Sequence, residues 1–327
     1  MADLVADNIF RICVPVPFPL RTVNIYILKG RDGWVLFDTA IGTEEVRAAI
    51  RRELQQLALR LEELQAIVLS HAHPDHIGLS GPFQQQSSAP VYMHPIDEAI
   101  LQEFWSGKHP RTFTQMNRFF EPHGLPQDPA YPPQVPPEVL RRLTIVPPHE
   151  AFTLVGDGEE RELAGEHYQV LWVPGHSDGH ICLFRARDGV LLAADHVLPR
   201  ITPNVGLYSE QARANPLEDY LRSLRKVERL PASIVLPGHG DPFEDLAGRV
   251  RELIEHHSQR EQEILSLLAR RPQPAYQLTK QLFGQRLNTQ DAWRMALAET
   301  LSHLEYMRYA GHVTQQMHDG LILYAAV

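Results

Sequence analysis

The chain has 327 residues, of which 43% are hydrophobic and 22% charged, and its formal net charge is −9. This composition excludes a disordered or fibrous protein, and the acidic balance disfavours one that lives on nucleic acid or on anionic membranes. No apolar run approaches the ~20 residues needed to span a bilayer, and no signal peptide is visible, so we expect a cytoplasmic protein. Cys13 and Cys182 lie in apolar strand-like runs, and we expect two buried thiols rather than a disulfide.

The first third of the chain alternates strand and helix patterns. Short runs rich in β-branched and aromatic residues predict strands over residues 9–16, 23–28, 34–37 and 66–69. The glycine-flanked residues 30–33 predict a hairpin turn between two of these strands. Thr43 precedes two acidic residues and is typical of a helix N-cap, and the apolar residues behind it recur at helical spacing. This order predicts a layered α/β protein.

Residues 95–150 differ in character from the rest of the chain. A helical pattern over residues 96–105 is followed by aromatic residues at helical spacing and then by the proline-dense residues 122–137. We expect that last segment to be an extended connector, because proline fixes φ and removes a donor. We interpret 95–150 as an insertion with two open roles, a helical pair packed on the sheet or the lid of a pocket.

Strand and helix patterns return in the second half of the chain. Strands are predicted over residues 168–173, 181–184, 190–193 and 233–236. One helix is predicted between the last two strands, and from residue 244 the pattern is helical, with three helices and a final hairpin that are typical of a winged-helix-like module. We therefore predict a main domain over residues 1–243 and a small helical domain over residues 244–327.

The most informative stretch runs from Ser70 to His76 and follows a predicted strand. It contains three imidazoles and one carboxylate, and both groups are ligands that divalent zinc prefers. The carboxyl end of a strand is also where active sites lie in layered α/β proteins. Three later strands end in the same way, each with a His or an Asp in the turn that follows. These residues are His176, Asp195 and His239.

Together these residues resemble the signature of the metallo-β-lactamase superfamily, His-x-His-x-Asp-His followed by a later His, an Asp and a last His. The resemblance implies a four-layer αββα sandwich, here with a small C-terminal winged-helix-like domain, and two divalent metal ions. The ligands that it implies divide into His71, His73 and His176 for the first ion, Asp75, His76 and His239 for the second, and Asp195, which bridges both together with a water or hydroxide.

Further residues are expected to support this site. Asp38 ends a predicted strand and fits the aspartate with which the family orients its ligand loop. His180 and His196 lie beside implied ligands in the sequence, and we expect them to support or line the site. The pair His256–His257 falls in the middle of a predicted helix, and we expect it on a solvated face.

The ligand types bear on the identity of the metal. Five histidines and two aspartates suit zinc, although iron and manganese accept the same ligands. The redox branch of the superfamily carries Glu in place of the second His of the motif, whereas this chain has His73 there, which disfavours an oxygen-reducing diiron role. We therefore expect two divalent ions, with zinc as the first choice.

A pair of divalent ions about 3.5–4 Å apart makes hydroxide available at neutral pH and polarises a scissile carbonyl or phosphoryl group. We therefore predict direct hydrolysis, in which Asp75 and Asp195 are the catalytic carboxylates. The favoured substrate is a small or medium acyl thioester or ester, lactones included. Its apolar part is expected under aromatic and apolar side chains of the insertion, namely Phe104, Trp105, Phe113, Met116 and Phe120.

Other functions stay open. The C-terminal pattern resembles the lactamase-β-like branch, which includes endoribonucleases as well as acyl-carrier or acyl-CoA thioesterase-type hydrolases, so a ribonuclease or phosphodiesterase is the alternative. A DNA-binding regulator is disfavoured, because residues 245–327 hold nine Lys or Arg and nine Asp or Glu, whereas phosphate binding needs a positive face. True β-lactamase activity is disfavoured because nothing signals export. A homodimer also stays open.

Overall fold

The computed structural model describes residues 2–106, 118–126, 133–209, 212–284 and 287–327. Two of the expected pocket residues, Phe113 and Met116, lie outside these ranges. Two β-sheets occupy the centre of the molecule, with helices on the outer face of each sheet. Within the described ranges, no helix is long and apolar enough to cross a bilayer.

The first sheet contains seven strands that lie side by side in chain order. The first four pair in antiparallel fashion, and the fourth to the seventh pair in parallel. The strands are β1 (Asp3–Ala6), β2 (Ile9–Pro15), β3 (Thr22–Lys29), β4 (Trp34–Phe37), β5 (Leu64–Val68), β6 (Val91–Met93) and β7 (Phe152–Leu154). The parallel half brings the carboxyl ends of β4 and β5 to the same edge of the sheet.

Helices connect the parallel strands of this sheet. They are α1 (Glu44–Gln56), α2 (Pro74–Ile77), α3 (Ser80–Ser87), α4 (Pro95–Trp105) and α5 (Pro137–Leu143). Thr43 is the N-cap of α1, as predicted, because its side-chain oxygen accepts a hydrogen bond from the Val46 N–H at 3.2 Å.

The second sheet contains five strands, in the spatial order β12-β11-β10-β9-β8. The strands are β8 (Glu160–Leu163), β9 (Glu166–Trp172), β10 (Ile181–Arg185), β11 (Val190–Ala194) and β12 (Ile234–Pro237). The helix α6 (Pro216–Val227) connects β11 to β12, which pair in parallel. The carboxyl ends of these two strands are therefore adjacent, and each leads directly into a residue of the implied ligand set.

Three apolar clusters hold the layers together. Between the sheets, Tyr26 and Phe37 of the first sheet pack with Tyr168 and Leu192 of the second in one buried cluster. A second cluster joins the outer face of the first sheet to α1 and α3, and a third joins the outer face of the second sheet to α6 and to the helix that follows β12. The four-layer αββα arrangement is therefore confirmed.

The C-terminal region contains α7 (Leu246–Leu268), α8 (Ala275–Phe283), α9 (Gln290–Tyr309) and a hairpin of β13 (Val313–His318) and β14 (Leu321–Ala326). The first half of α7 packs under the second sheet through Val250 and Leu253, whereas Ile264 and Leu268 in its second half belong to the C-terminal core. One continuous helix thus enters both cores. The predicted division after residue 243 and the winged-helix-like character stay predictions.

Two expectations about burial are wrong. Cys13 is exposed, because side chains alternate along β2 and its neighbours Ile12 and Val14 take the buried face. His257 is 1% exposed rather than solvated, because α7 turns this face toward His303 on α9, and the two ring nitrogens are 3.1 Å apart. Cys182 is buried as expected.

The insertion also differs from its prediction where it is described. The described ends of the proline-dense residues 122–137 are helical rather than extended, since Glu121–His123 form a 3-10 helix and Pro137 begins α5. Proline is well tolerated at the first turn of a helix. Leu101 of α4 is fully buried in the core of the first sheet, so this helix belongs to the sandwich. Phe120 is also fully buried, but it packs with Leu297 and Leu301 of α9 in the C-terminal core. It is therefore not available to line a substrate pocket.

Truncation of Leu301 tests how far the C-terminal core supports the molecule. Leu301→Ala removes a fully buried side chain from that core. We expect a loss of about 2–5 kcal/mol in the free energy of unfolding, measured by urea denaturation. Met295→Ala on the same helix, where the side chain is exposed, is the control and is expected to change little. Equal losses in the two variants would contradict the packing described here.

Candidate metal centre

The implied ligands come from four loops at one edge of the sandwich. The loop after β5 carries His71, His73, Asp75 and His76, and the loops after β9, β11 and β12 carry His176, Asp195 and His239. Strands of both sheets end here, so residues more than a hundred positions apart in the chain meet at this edge.

The structure brings three of the histidines into a first group. One ring nitrogen from each of His71, His73 and His176 lies within 4.8 Å of the other two. His71 Nε2 and His73 Nδ1 are 2.9 Å apart, and the rings of His73 and His176 meet edge to face with centroids at 4.6 Å. Three imidazoles aimed at one point form an open three-nitrogen site of the kind that binds zinc.

A second group lies beside the first. It consists of Asp75, His76 and His239, whose ligand atoms also lie within 4.8 Å of one another. Asp195 stands between the groups, because its Oδ2 is 3.5 Å from His176 Nε2 and 3.3 Å from His239 Nε2, and its Oδ1 is 3.5 Å from His76 Nε2. This is the position that a bridging carboxylate would take.

Backbone and carboxylate acceptors fix the orientation of these rings. His176 Nδ1 donates to the Asn204 carbonyl at 2.8 Å, and His239 Nδ1 donates to the Thr22 carbonyl at 2.6 Å. With the proton on Nδ1, the Nε2 lone pair of each ring is free to bind a cation. The carbonyls therefore select the tautomer that a metal requires.

Asp38 performs the same task for the loop after β5. Its carboxylate accepts hydrogen bonds of 2.8 Å from the Ser70 N–H, the Ser70 hydroxyl and His76 Nδ1. Asp38 is 1% exposed and has a φ of +59°, a left-handed conformation that is uncommon for residues with a side chain. The structure therefore places Asp38 directly behind the ligand loop.

Unpaired polar atoms show that the site suits a cation. Among the described residues, His76 Nε2, His176 Nε2, His239 Nε2 and Asp195 Oδ1 are buried without a hydrogen-bond partner. Buried nitrogen and oxygen atoms are rarely left unpaired, because each costs about 1–3 kcal/mol. All four atoms belong to the implied ligand set and converge on one small volume, and a divalent ion would satisfy them.

The protonation states agree with this interpretation. Burial, reinforced by neighbouring imidazoles, holds the pKa of His71 and His73 well below the usual value, so both rings are neutral. Burial lowers the pKa of His76, but Asp195, Asp38 and Asp75 outweigh it and raise that pKa well above its usual value. A pocket that stabilises positive charge this strongly and also presents neutral imidazoles fits divalent cations.

His180 and His196 lie behind the first group. Both rings are fully buried, and neither ring has a hydrogen-bond partner among the described residues. His180 stacks on His71 with ring centroids 4.9 Å apart, and the ring of His196 lies 6.1 Å beyond His180. Burial lowers the pKa of His196 to about 3. Their place in the structure suits support of the ligands rather than contact with substrate.

Asp97 is a further residue of the site that was not predicted from the sequence; it lies in the first turn of α4 and is fully buried. Its carboxylate accepts hydrogen bonds from the Ala72 N–H at 2.9 Å, from the Gly179 N–H at 2.6 Å and from the Ser177 hydroxyl. Burial raises its pKa to about 6, so it is ionised at neutral pH. Asp97 thus ties the loop of His71 and His73 to the loop of His176. The sequence offered no signal for this, because an acid in the first turn of a helix is ordinary.

Asp97→Asn tests this tie between the loops. The asparagine amide has one acceptor oxygen, whereas the carboxylate has two. Its NH₂ group would therefore face a hydrogen-bond donor where Asp97 presents its second oxygen. We expect stability to fall by about 1.5–3 kcal/mol, measured by thermal unfolding, and zinc affinity to fall about 10–100-fold, measured by chelator competition. The neighbouring buried acid provides the control, since Glu98 bonds to His149 instead, and Glu98→Gln should leave zinc affinity unchanged. Wild-type affinity in Asp97→Asn would contradict the assignment.

Gly238 allows the last ligand loop to approach the others. A Cβ atom at this position would overlap Asp195 Oδ1 and would lie 2.9 Å from His76 Cε1. We therefore expect Gly238→Ala to lose at least one bound metal ion, measured by equilibrium dialysis against zinc and elemental analysis. Gly284→Ala is the control, because its Cβ would approach nothing closer than Lys280 Cγ at 3.3 Å. Full metal content in Gly238→Ala would show that this close approach is not required.

Comparison with known proteins agrees with the fold. The sequence model of the Metallo-beta-lactamase superfamily matches residues 19–239, and that of the Metallo-beta-lactamase-like, C-terminal domain matches residues 262–327. The probable metallo-hydrolase YqjP of Bacillus subtilis is 27% identical over 320 residues, which cover 95% of each chain. An atrochrysone carboxyl ACP thioesterase of Aspergillus fumigatus is 29% identical over 121 residues, which cover 37% of this chain and 36% of the thioesterase.

The fold is also similar to that of a solved structure along its whole length. The crystal structure of a metallo-beta-lactamase family protein from Thermus thermophilus superposes with a TM-score of 0.86 at 37% identity, and the match covers 99% of this chain and 100% of that chain. Because the superfamily match extends over more than half of the sequence and the sandwich superposes along its full length, this chain belongs to the metallo-β-lactamase superfamily.

Proposed function

We propose that this protein is a hydrolase that uses two divalent metal ions, with zinc as the first choice, to cleave an acyl thioester or ester, lactones included. The observation that carries the proposal is the pair of three-residue groups that lie on either side of Asp195. A single group would bind one ion, whereas two groups on either side of one carboxylate can hold two ions close together. Neutral imidazoles and carboxylates without a thiolate support zinc, and they accommodate iron or manganese.

Each side chain would have a definite task in this reaction. His71, His73 and His176 would hold one ion, and Asp75, His76 and His239 would hold the other. When bound, the two ions supply a nucleophilic hydroxide at neutral pH and polarise the scissile carbonyl.

The two carboxylates at the centre would act directly beside the reacting atoms. Burial would raise the pKa of Asp195, but His239 and His76 hold it well below its usual value, so this carboxylate stays ionised between the two groups. Asp75 Oδ2 lies 3.5 Å from His239 Nε2 at the edge of the second group. From there it would orient the nucleophile or hold its proton.

The described part of the C-terminal region supports an acyl substrate over nucleic acid. In α9, all of whose residues are described, only Met295 and Tyr309 are exposed. A helix that reads DNA must present its side chains to a groove, whereas most side chains of α9 pack within the protein and are not exposed. The net charge of −9 and the partial similarity to an acyl-carrier thioesterase point in the same direction.

Two aromatic residues of α4 are candidates for the wall of the substrate site. Phe104 and Trp105 are partly buried at the end of the helix, and Trp105 packs against the core of the first sheet. Their remaining exposed surface would contact the apolar part of an acyl group.

Within the cell we propose a cytoplasmic location, which is supported by two unpaired cysteines, one of them exposed.

Metal removal tests the chemistry. We expect chelation to abolish hydrolysis of p-nitrophenyl esters and acyl-CoA thioesters, and added zinc or manganese to restore it, because no described serine or cysteine lies in the ligand groups. The measurement is the initial rate before chelation, after it and after add-back. Activity that survives complete metal removal would exclude the mechanism.

A substrate panel separates the acyl hydrolase from the alternative of a ribonuclease or phosphodiesterase, which the same metal groups could also serve. The panel contains esters, acyl-CoA thioesters, lactones, bis-p-nitrophenyl phosphate and single-stranded RNA. We expect turnover of the acyl substrates with little dependence on salt, whereas binding of a polyanion weakens steeply as salt rises. Turnover confined to the phosphodiesters and RNA would overturn the proposed substrate class.

A further inference from the structure

The ligand His176 is oriented by a residue that lies outside the signature motifs. Its Nδ1 donates to the backbone carbonyl of Asn204 at 2.8 Å, and its Nε2 faces Asp195 Oδ2 at 3.5 Å. Asn204 lies in the connection between β11 and α6, which is described over residues 195–209 and 212–215. The direction of one peptide carbonyl in this connection therefore sets the direction of the ligand ring.

The side chain of Asn204 is held by the C-terminal region. Its Nδ2 donates to the Met295 carbonyl and to Glu299 Oε2, both at 3.2 Å, and both acceptors belong to α9. Its Oδ1 accepts from the Tyr208 hydroxyl at 2.5 Å. Three hydrogen bonds thus fix the side chain of the residue whose carbonyl orients His176, and two of them come from α9.

The backbone around Asn204 also lies directly on α9. The Leu207 N–H donates to the Ala298 carbonyl at 3.0 Å, and a Cβ atom at Gly206 would approach Ala298 Cβ to 2.9 Å. Earlier in the connection, Arg249 of α7 donates to the Ile201 carbonyl at 2.8 Å. Residues 201–207 of the connection are therefore held in place by contacts with α7 and α9.

Glu299 is a charged residue on the face of α9 that contacts the connection between β11 and α6, where apolar residues would be expected. Burial raises its pKa, against the opposing effects of Arg260 and of the hydrogen bond from Asn204. Glu299 is half-buried, and the partial loss of water around its carboxyl group has a cost that an apolar residue at this position would not have. Its carboxylate accepts a hydrogen bond from Asn204, whose backbone carbonyl accepts one from His176. This connection to a ligand ring accounts for a carboxylate at this position.

We propose that α9 is a positioning element of the metal centre, which acts through Glu299 and Asn204 to hold His176 in the orientation that binds the first ion. The inference rests on the proposed metal centre and assigns a part of that centre to the C-terminal region. Asn204 and Glu299 are positioning residues, since neither would touch the ion or the substrate.

Metal binding by the full-length protein tests this inference. The variants are Asn204→Ala, Glu299→Ala and Glu299→Gln, loaded with Zn²⁺ for affinity by chelator competition and with Co²⁺ for its visible absorption spectrum, which reports ligand geometry. We expect Asn204→Ala and Glu299→Ala to bind one of the two ions about 10–100-fold more weakly and to change the cobalt spectrum, while the other ion is retained. Glu299→Gln keeps an acceptor for Asn204 Nδ2 and should restore most of the affinity.

Glu305→Ala is the matched control. Glu305 lies on the same helix and forms an ion pair with Arg308 at 2.7 Å, so its loss should lower stability without changing metal binding. The inference is overturned if Asn204→Ala and Glu299→Ala bind both ions as the wild type does, or if Glu305→Ala weakens binding as much as they do. If the wild-type protein itself binds no ion, the metal centre fails together with the inference. Hydrolysis is not a readout, so an incorrect substrate class would leave the test unaffected.

Discussion

The structure depends on seven side chains, five of them buried and His73 and His176 half-buried, whose nitrogen and oxygen atoms face one another at one edge of the sandwich. Such a group is costly in the protein interior, because each unpaired atom has lost its contact with water. His176 and His239 both direct Nδ1 outward to a backbone carbonyl, so their remaining nitrogens have only the shared interior to face. Two cations at that point would offset the cost. The unpaired ligand atoms therefore support the proposal of a hydrolase that uses two metal ions.

The sandwich supplies this arrangement because both sheets end at the same edge. The first sheet contributes Asp38 and the dense ligand loop after β5, and the second contributes the more distant His176, Asp195 and His239. Neither sheet could form both groups alone. The carboxylate of Asp97 then joins a loop of one sheet to a loop of the other, and the C-terminal helix α9 contacts the connection that orients His176.

The ligand loop and the strand that precedes it could be predicted because their residues are neighbours in the sequence. Three histidines and an aspartate within six residues after an apolar run indicate both the site and the strand that carries it. Asp97 and Asn204 could not be found in this way, since each acts through contacts with loops that are distant in the chain. His257 was misjudged because tertiary packing, rather than its own sequence, decides which face of α7 is buried. Phe120 was assigned to a pocket for the same reason, although it completes the C-terminal core.

The presence of two ions that share Asp195 is tested most directly by diffraction from crystals of the zinc-loaded protein at the zinc absorption edge. We predict two anomalous peaks about 3.5–4 Å apart, one beside His71, His73 and His176 and the other beside Asp75, His76 and His239, with the Asp195 carboxylate between them. A single peak, or two peaks that lie away from these side chains, would contradict the dinuclear centre.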